Sequence, residues 1–67
     1  MGRLINASVS STGRSVFRAY QTQRRTGVRI QIECPPGNVV YDTDDCYDMG
    51  NAVAKAEEYA REHMDTL

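Results

Sequence analysis

The stretch Gly27–Asp42, "GVRIQIECPPGNVVYD", decides the fold. Val28, Ile30, Ile32 and Cys34 fall on one side of an extended chain, and Arg29, Gln31 and Glu33 on the other. This period-2 alternation is that of a half-buried strand. "PPGN" (Pro35–Asn38) follows. Proline presets φ and glycine supplies a positive φ, so the chain turns there. "VVYD" then returns as a short strand over 39–42.

The pattern extends in both directions. Upstream, "RSVFRAYQ" over 14–21 alternates Phe17 and Ala19 against Arg18 and Tyr20, and the polar "TQRRTG" before Val28 reads as a hairpin loop. "LINASVS" alternates Ile5, Ala7 and Val9 with polar neighbours and adds an N-terminal strand over 4–10, closed by "SSTG". Downstream, the period becomes helical over 45–64. Met49, Ala52, Val53, Ala56, Ala60 and His63 recur at spacings of three and four, with Tyr59 at the margin. Lys55, Glu57, Glu58, Arg61 and Glu62 take the opposite side.

The expected architecture is α+β, β-β-β-α, in a single domain over 1–67. It consists of a three- to four-stranded antiparallel sheet with one C-terminal helix packed on one face. At least one sheet edge stays open, which suits either a monomer or a homodimer joined through that edge.

A chain of 67 residues hides only about 60% of the surface its unfolded form exposes, so its core is thin. Apolar content of 40% and charged content of 25% are those of a globular domain rather than a disordered tail. No apolar run approaches the roughly 20 residues that a membrane span requires. "MGRLINAS" carries no long apolar region, so no signal peptide and a cytoplasmic location are expected. In a reducing compartment Cys34 and Cys46 are expected to be free thiols.

The net charge of −1 conceals a strong asymmetry. Residues 1–32 hold six arginines and no acid, whereas residues 33–67 hold all nine acids against Lys55 and Arg61. Two opposite surfaces follow, unless the halves pack together and neutralise each other. The first is acidic: Asp42, Asp44, Asp45 and Asp48, continued by Glu57, Glu58 and Glu62, could enter a basic channel on a partner by charge complementarity. The more modest reading is that some of these acids cap and charge the start of the helix. The second is basic: Arg14, Arg18, Tyr20, Arg24, Arg25 and Arg29 could hold phosphates and stack a base. Alternatively, these arginines are a solvated sheet face.

Enzymatic and metal chemistry find little footing. His63 is the only histidine, and no nucleophile is paired with it in sequence. The acidic stretch is no calcium loop, because the sixth and twelfth positions counted from Asp42 are Tyr47 and Val53, where glycine and Glu are required. Cys34, Cys46 and His63 lack the paired spacing of a structural zinc site. No phosphate-binding glycine loop occurs. No catalytic residue, metal or cofactor is therefore expected.

Two resemblances bear on function. The strands-then-helix order loosely resembles the latter part of a double-stranded-RNA-binding domain. That family's first helix is missing, and Asp44, Asp45 and Asp48 stand where its last helix begins with lysines. The "GNVVYDT" turn into the sheet and the helix "AVAKAEEYAREH" resemble the small sheet-plus-helix proteins of phages and mobile elements, anti-CRISPR proteins among them, and Ala52, Ala56 and Ala60, four apart, match the helix of similar small bacterial domains of unknown function. That likeness covers roughly residues 14–64 and rests on layout. It implies a non-catalytic inhibitor that occupies a surface of a host protein or ribonucleoprotein complex, here through the acidic residues. A nucleic-acid-binding module on the arginine face is the alternative, and a structural protein dimerising by its sheet edge a third.

Overall fold

A computed structural model describes residues 2–67. Four strands, β1 (Arg3–Val9), β2 (Val16–Gln21), β3 (Val28–Glu33) and β4 (Val39–Asp42), form an antiparallel meander in the order β1-β2-β3-β4. One helix, α1 (Met49–Glu62), follows and packs on one face of the sheet. The chain is thus an α+β domain with the fourth strand present at its N-terminus.

Register explains which residues reach the core. Phe17 lies opposite Ile32 and Ala19 opposite Ile30 across β2–β3, and Tyr41 lies opposite Ile32 across β3–β4. These apolar positions share the face beneath α1. Val28, Ile30 and Ile32 of β3 are buried there with Ala19, Cys46, Ala52, Ala56 and Leu67. Ile32 is fully enclosed, and burial of such a side chain contributes about 1.5–3 kcal/mol. The alanines let the helix approach closely, since they project little beyond the backbone. Gly37 closes the β3–β4 turn at φ +100°, a conformation that side chains resist, and the Cys34 N–H donates to the Asn38 carbonyl at 2.9 Å across it.

The helix begins later than its periodicity predicts. The expected start at Asp45 gives way to Met49, because residues 43–46 continue β4 in an irregular form. The Thr43 hydroxyl accepts the Ile30 N–H at 2.9 Å, and the Thr43 N–H donates to the Ile30 carbonyl at 3.0 Å. Cys46 then exchanges both backbone hydrogen bonds with Val28, at 3.0 and 3.1 Å. Asp44 and Asp45 bulge outward between these anchors, with Asp44 in the left-handed region at φ 62°. Asp48 is the N-cap; its carboxylate accepts the Asn51 N–H at 2.9 Å. No acid stands in the first helical turn, so one carboxylate caps the helix and the macrodipole reading of the others does not apply.

At its other end the helix is held by a stack. Tyr41 of β4 lies 4.4 Å from Tyr59 between ring centroids, and Tyr59 lies 3.9 Å from His63. The His63 Nδ1 is 3.0 Å from the Tyr59 carbonyl oxygen. That oxygen only accepts, so Nδ1 carries the proton. Both ends of α1 are therefore tied to the β3–β4 side of the sheet, and the helix makes its contacts with those two strands. Met49 and Val53, placed by the periodicity in the buried stripe, are consequently about one-third exposed.

The capping assignment is open to a direct test. Asp48→Ala should lower stability by about 1 kcal/mol, the usual cost of losing such a cap. Glu58→Ala, on the exposed helix face, should stay within about 0.5 kcal/mol of the parent in the same urea titration.

Candidate functional site

The two charged surfaces expected from the sequence meet on the face of the sheet away from α1, where they pair with each other. Arg29 lies at the centre. Its Nε donates to both Asp42 oxygens at 2.8 and 2.9 Å, and its Nη2 donates to Oδ2 at 2.6 Å. Gln31 Nε2 and the Asp44 N–H add further donors to Asp42 at 3.1 and 2.8 Å. The hydrogen bonds from Arg29 hold the Asp42 carboxyl below its ordinary range, against the opposing effect of partial burial. The same pair pushes the Arg29 guanidinium upward.

The neighbouring charges are likewise engaged. Arg18 Nε donates to Glu33 at 3.0 Å, and Glu33, itself buried, also accepts the Gly37 N–H at 2.8 Å. Arg24 Nε lies 3.6 Å from Asp45, whose carboxylate also accepts from Thr22 Oγ1 at 3.0 Å. The Arg24 guanidinium lies over the Tyr47 ring, 4.9 Å from its centroid. Tyr20 is half-buried, opposite Arg29 in the β2–β3 register.

Of the acidic set, Asp42 and Asp45 are thus paired and Asp48 is a cap. Asp44 stands out in solvent, 4.0 Å from Arg29. Glu57, Glu58 and Glu62 are exposed on α1. Of the basic set, Arg18, Arg24 and Arg29 are paired, while Arg14 and Arg25 are exposed and make no ion pair among the described residues. Neither set forms a free single-sign surface. Cys34 and Cys46 are free thiols, and no metal-holding cluster of His, Cys, Asp or Glu occurs among the described residues.

A different feature lies on the helix side. Because α1 sits over β3 and β4, the same face of β1 and β2 is left beside it as an open groove of about 320 Å³. Asn6 and Ser8 of β1 and Phe17 and Ala19 of β2 form its floor; Met49 and Val53 of α1 form its wall. Glu57 is the one charged residue lining it. All seven residues of β1 are exposed, with Leu4, Ile5 and Val9 at 49%, 43% and 65%. The lining is mostly apolar, with Asn6, Ser8 and the acidic Glu57 as its polar members, and has room for an apolar side chain or segment.

The groove is absent from the sequence-based site because the helical period places Met49 and Val53 in the buried stripe. One signal pointed to it. Four strands span about 14 Å between their outer axes at the usual spacing of about 4.8 Å, more than one helix covers.

Comparison of the chain with protein-family models, curated proteins and solved structures returns no match.

The Arg29–Asp42 pair has a pH signature. The Asp42 pKa is depressed on folding, so the pair stabilises the fold above the unfolded carboxylate value of about 3.9. That stabilisation is lost as pH falls through the lower folded value. Asp42→Asn should therefore flatten the decline in stability below about pH 4 while leaving the shape of the curve at neutral pH unchanged. Thermal unfolding across that range checks it.

Proposed function

We propose that this is a non-catalytic protein-binding domain that receives an amphipathic segment of a partner in the groove between α1 and the β1–β2 hairpin. The observation that carries the reading is the groove itself: a floor that is apolar along β2 (Phe17, Ala19) and polar along β1 (Asn6, Ser8), an apolar helical wall, and an opening along β1. An amphipathic helix lays its apolar side chains in such a groove. Glu57 at the lining favours a basic residue beside those apolar ones.

The inhibitor function implied by the phage and anti-CRISPR resemblance fits within this proposal, with one change. Blocking a host protein or ribonucleoprotein would proceed by occupying an apolar segment, because Asp42, Asp45 and Asp48 of the acidic set are engaged within the fold. The internal pairing of Arg18, Arg24 and Arg29 likewise weighs against nucleic-acid binding, since phosphates would have to displace intramolecular carboxylates. A reducing, cytoplasmic setting belongs to the same proposal and is supported by the two free thiols.

Capture from nuclease-treated lysate on the tagged domain tests the reading when run with variants. One protein should be retained in stoichiometric amount by the parent and by Asp44→Lys and Arg25→Ala. Val53→Glu, a change at an exposed helix position, should abolish retention by placing a charge in the groove. Retention undiminished by Val53→Glu overturns the proposal, as does recovery of nucleic acid with no protein.

A further inference from the structure

We infer that β1 pairs antiparallel with β1 of a second copy of this chain, with Ala7 facing Ala7 across the twofold axis. The inference stands on the strand edge and not on what fills the groove, so each reading can fail alone.

The sheet has two edges, and they differ. β4 has four residues, and its register shifts between Ile32 and Glu33; short, irregular strands are poor templates for pairing. β1 has seven residues, all exposed. Its one irregularity lies near its start, between Leu4 and Asn6. Beyond that bulge the run from Asn6 to Val9 pairs regularly with β2 and carries no charge and no proline, two of the usual devices that block edge association.

Hydrogen-bond phase fixes which groups face outward. The Ser10 N–H donates to the Ser15 carbonyl at 2.9 Å, closing the β1–β2 hairpin. Bonding direction alternates along an antiparallel strand, so Ser8 and Asn6 turn their backbone groups toward β2. The N–H and C=O of Ala7 and Val9 are left pointing off the edge.

Self-pairing about Ala7 is complementary. Ala7 meets Ala7, the smallest side chain available at the axis. Asn6 meets Ser8, a polar cross-strand pair, and Val9 comes beside the apolar bulge residue Ile5. Arg3, the only charge in β1, lies opposite Ser11. A parallel arrangement would set Arg3 against Arg3, so charge selects the antiparallel one.

The paired chains would form an eight-stranded sheet with both helices on the same face. From β3 of one copy to β3 of the other is five strand steps, or about 24 Å at 4.8 Å each. With helices about 10 Å across, an opening of about 14 Å remains between them. The two grooves thereby merge into one trough with the width of a single further helix. The second copy supplies half the floor, and one partner helix per two chains is the expected stoichiometry.

Sedimentation of the full chain with charge-swapped variants at position 7 tests the inference. The parent should sediment as a dimer at about 100 μM, a concentration that reveals micromolar association. Ala7→Lys and Ala7→Glu, exposed changes that leave the β1–β2 bonds intact, should each sediment as monomers with the parent's circular dichroism. Mixed in equal amounts, they should regain the dimer, because opposite charges then meet at the axis. A monomeric parent overturns the inference. So do variants that still dimerise, or a mixture that stays monomeric with both variants folded. Retention of the lysate protein by monomeric Ala7→Lys would leave the groove reading intact while removing the shared trough.

Discussion

The pairing of residues 43–46 with β3 is the constraint on which the rest of the molecule depends. Thr43 and Cys46 each bind the β3 backbone twice, once in Thr43's case through its side chain. This extends the sheet beyond β4 and leaves only Tyr47 and Asp48 before the helix. A connection that short cannot carry α1 across to β1. The helix therefore starts beside β3, and the Tyr41–Tyr59–His63 stack holds its far end near β4. Cover for one half of the sheet and exposure of the other follow from the same few hydrogen bonds.

The charge asymmetry along the chain resolves across the sheet. A meander places the acid-bearing β4 next to β3 and β3 next to β2, so arginines from the first half of the sequence face carboxylates from the second. Arg18–Glu33, Arg29–Asp42 and Arg24–Asp45 are the result. Solvent-exposed ion pairs such as Arg24–Asp45 contribute about 0–1 kcal/mol each, a modest part of the stability. Their larger effect is on specificity. A one-residue slip of β4 against β3 would move Asp42 to the helix side and leave Arg29 unpaired, so the bidentate contact enforces the register that the apolar face also requires.

The strands were legible because alternation is a local property: Val28, Ile30 and Ile32 announce their face without reference to any neighbour. The C-terminal helix was legible from its stripe for the same reason. Its start was not, because "DTDDCYD" contains good capping residues at several positions, and only the tertiary bonds that hold Thr43 and Cys46 against β3 settle that Asp48 is the one used. The pairing among the charged residues was not legible either. Sequence shows how many arginines and aspartates there are, but pairing is decided by cross-strand register. The groove was invisible because Met49 and Val53 satisfy the helical period equally well whether the sheet beneath them is covered or bare.

An uncovered half-sheet bears on stability as well as recognition. The buried side chains of this chain are few and mostly small, with three alanines and one cysteine among its eight core residues. Large-residue burial is concentrated on β3, and Phe17 of β2 remains only partly covered. Any molecule that binds the folded chain and not the unfolded one raises its stability by mass action. In a domain whose net stability is a small difference between large opposing terms, that linkage carries unusual weight. A segment lying on Phe17 and Ala19, or a second β1 bonded to the first, would supply the contacts that a single helix tied to β3 and β4 cannot reach. Binding at this face would then also complete the cover of the core.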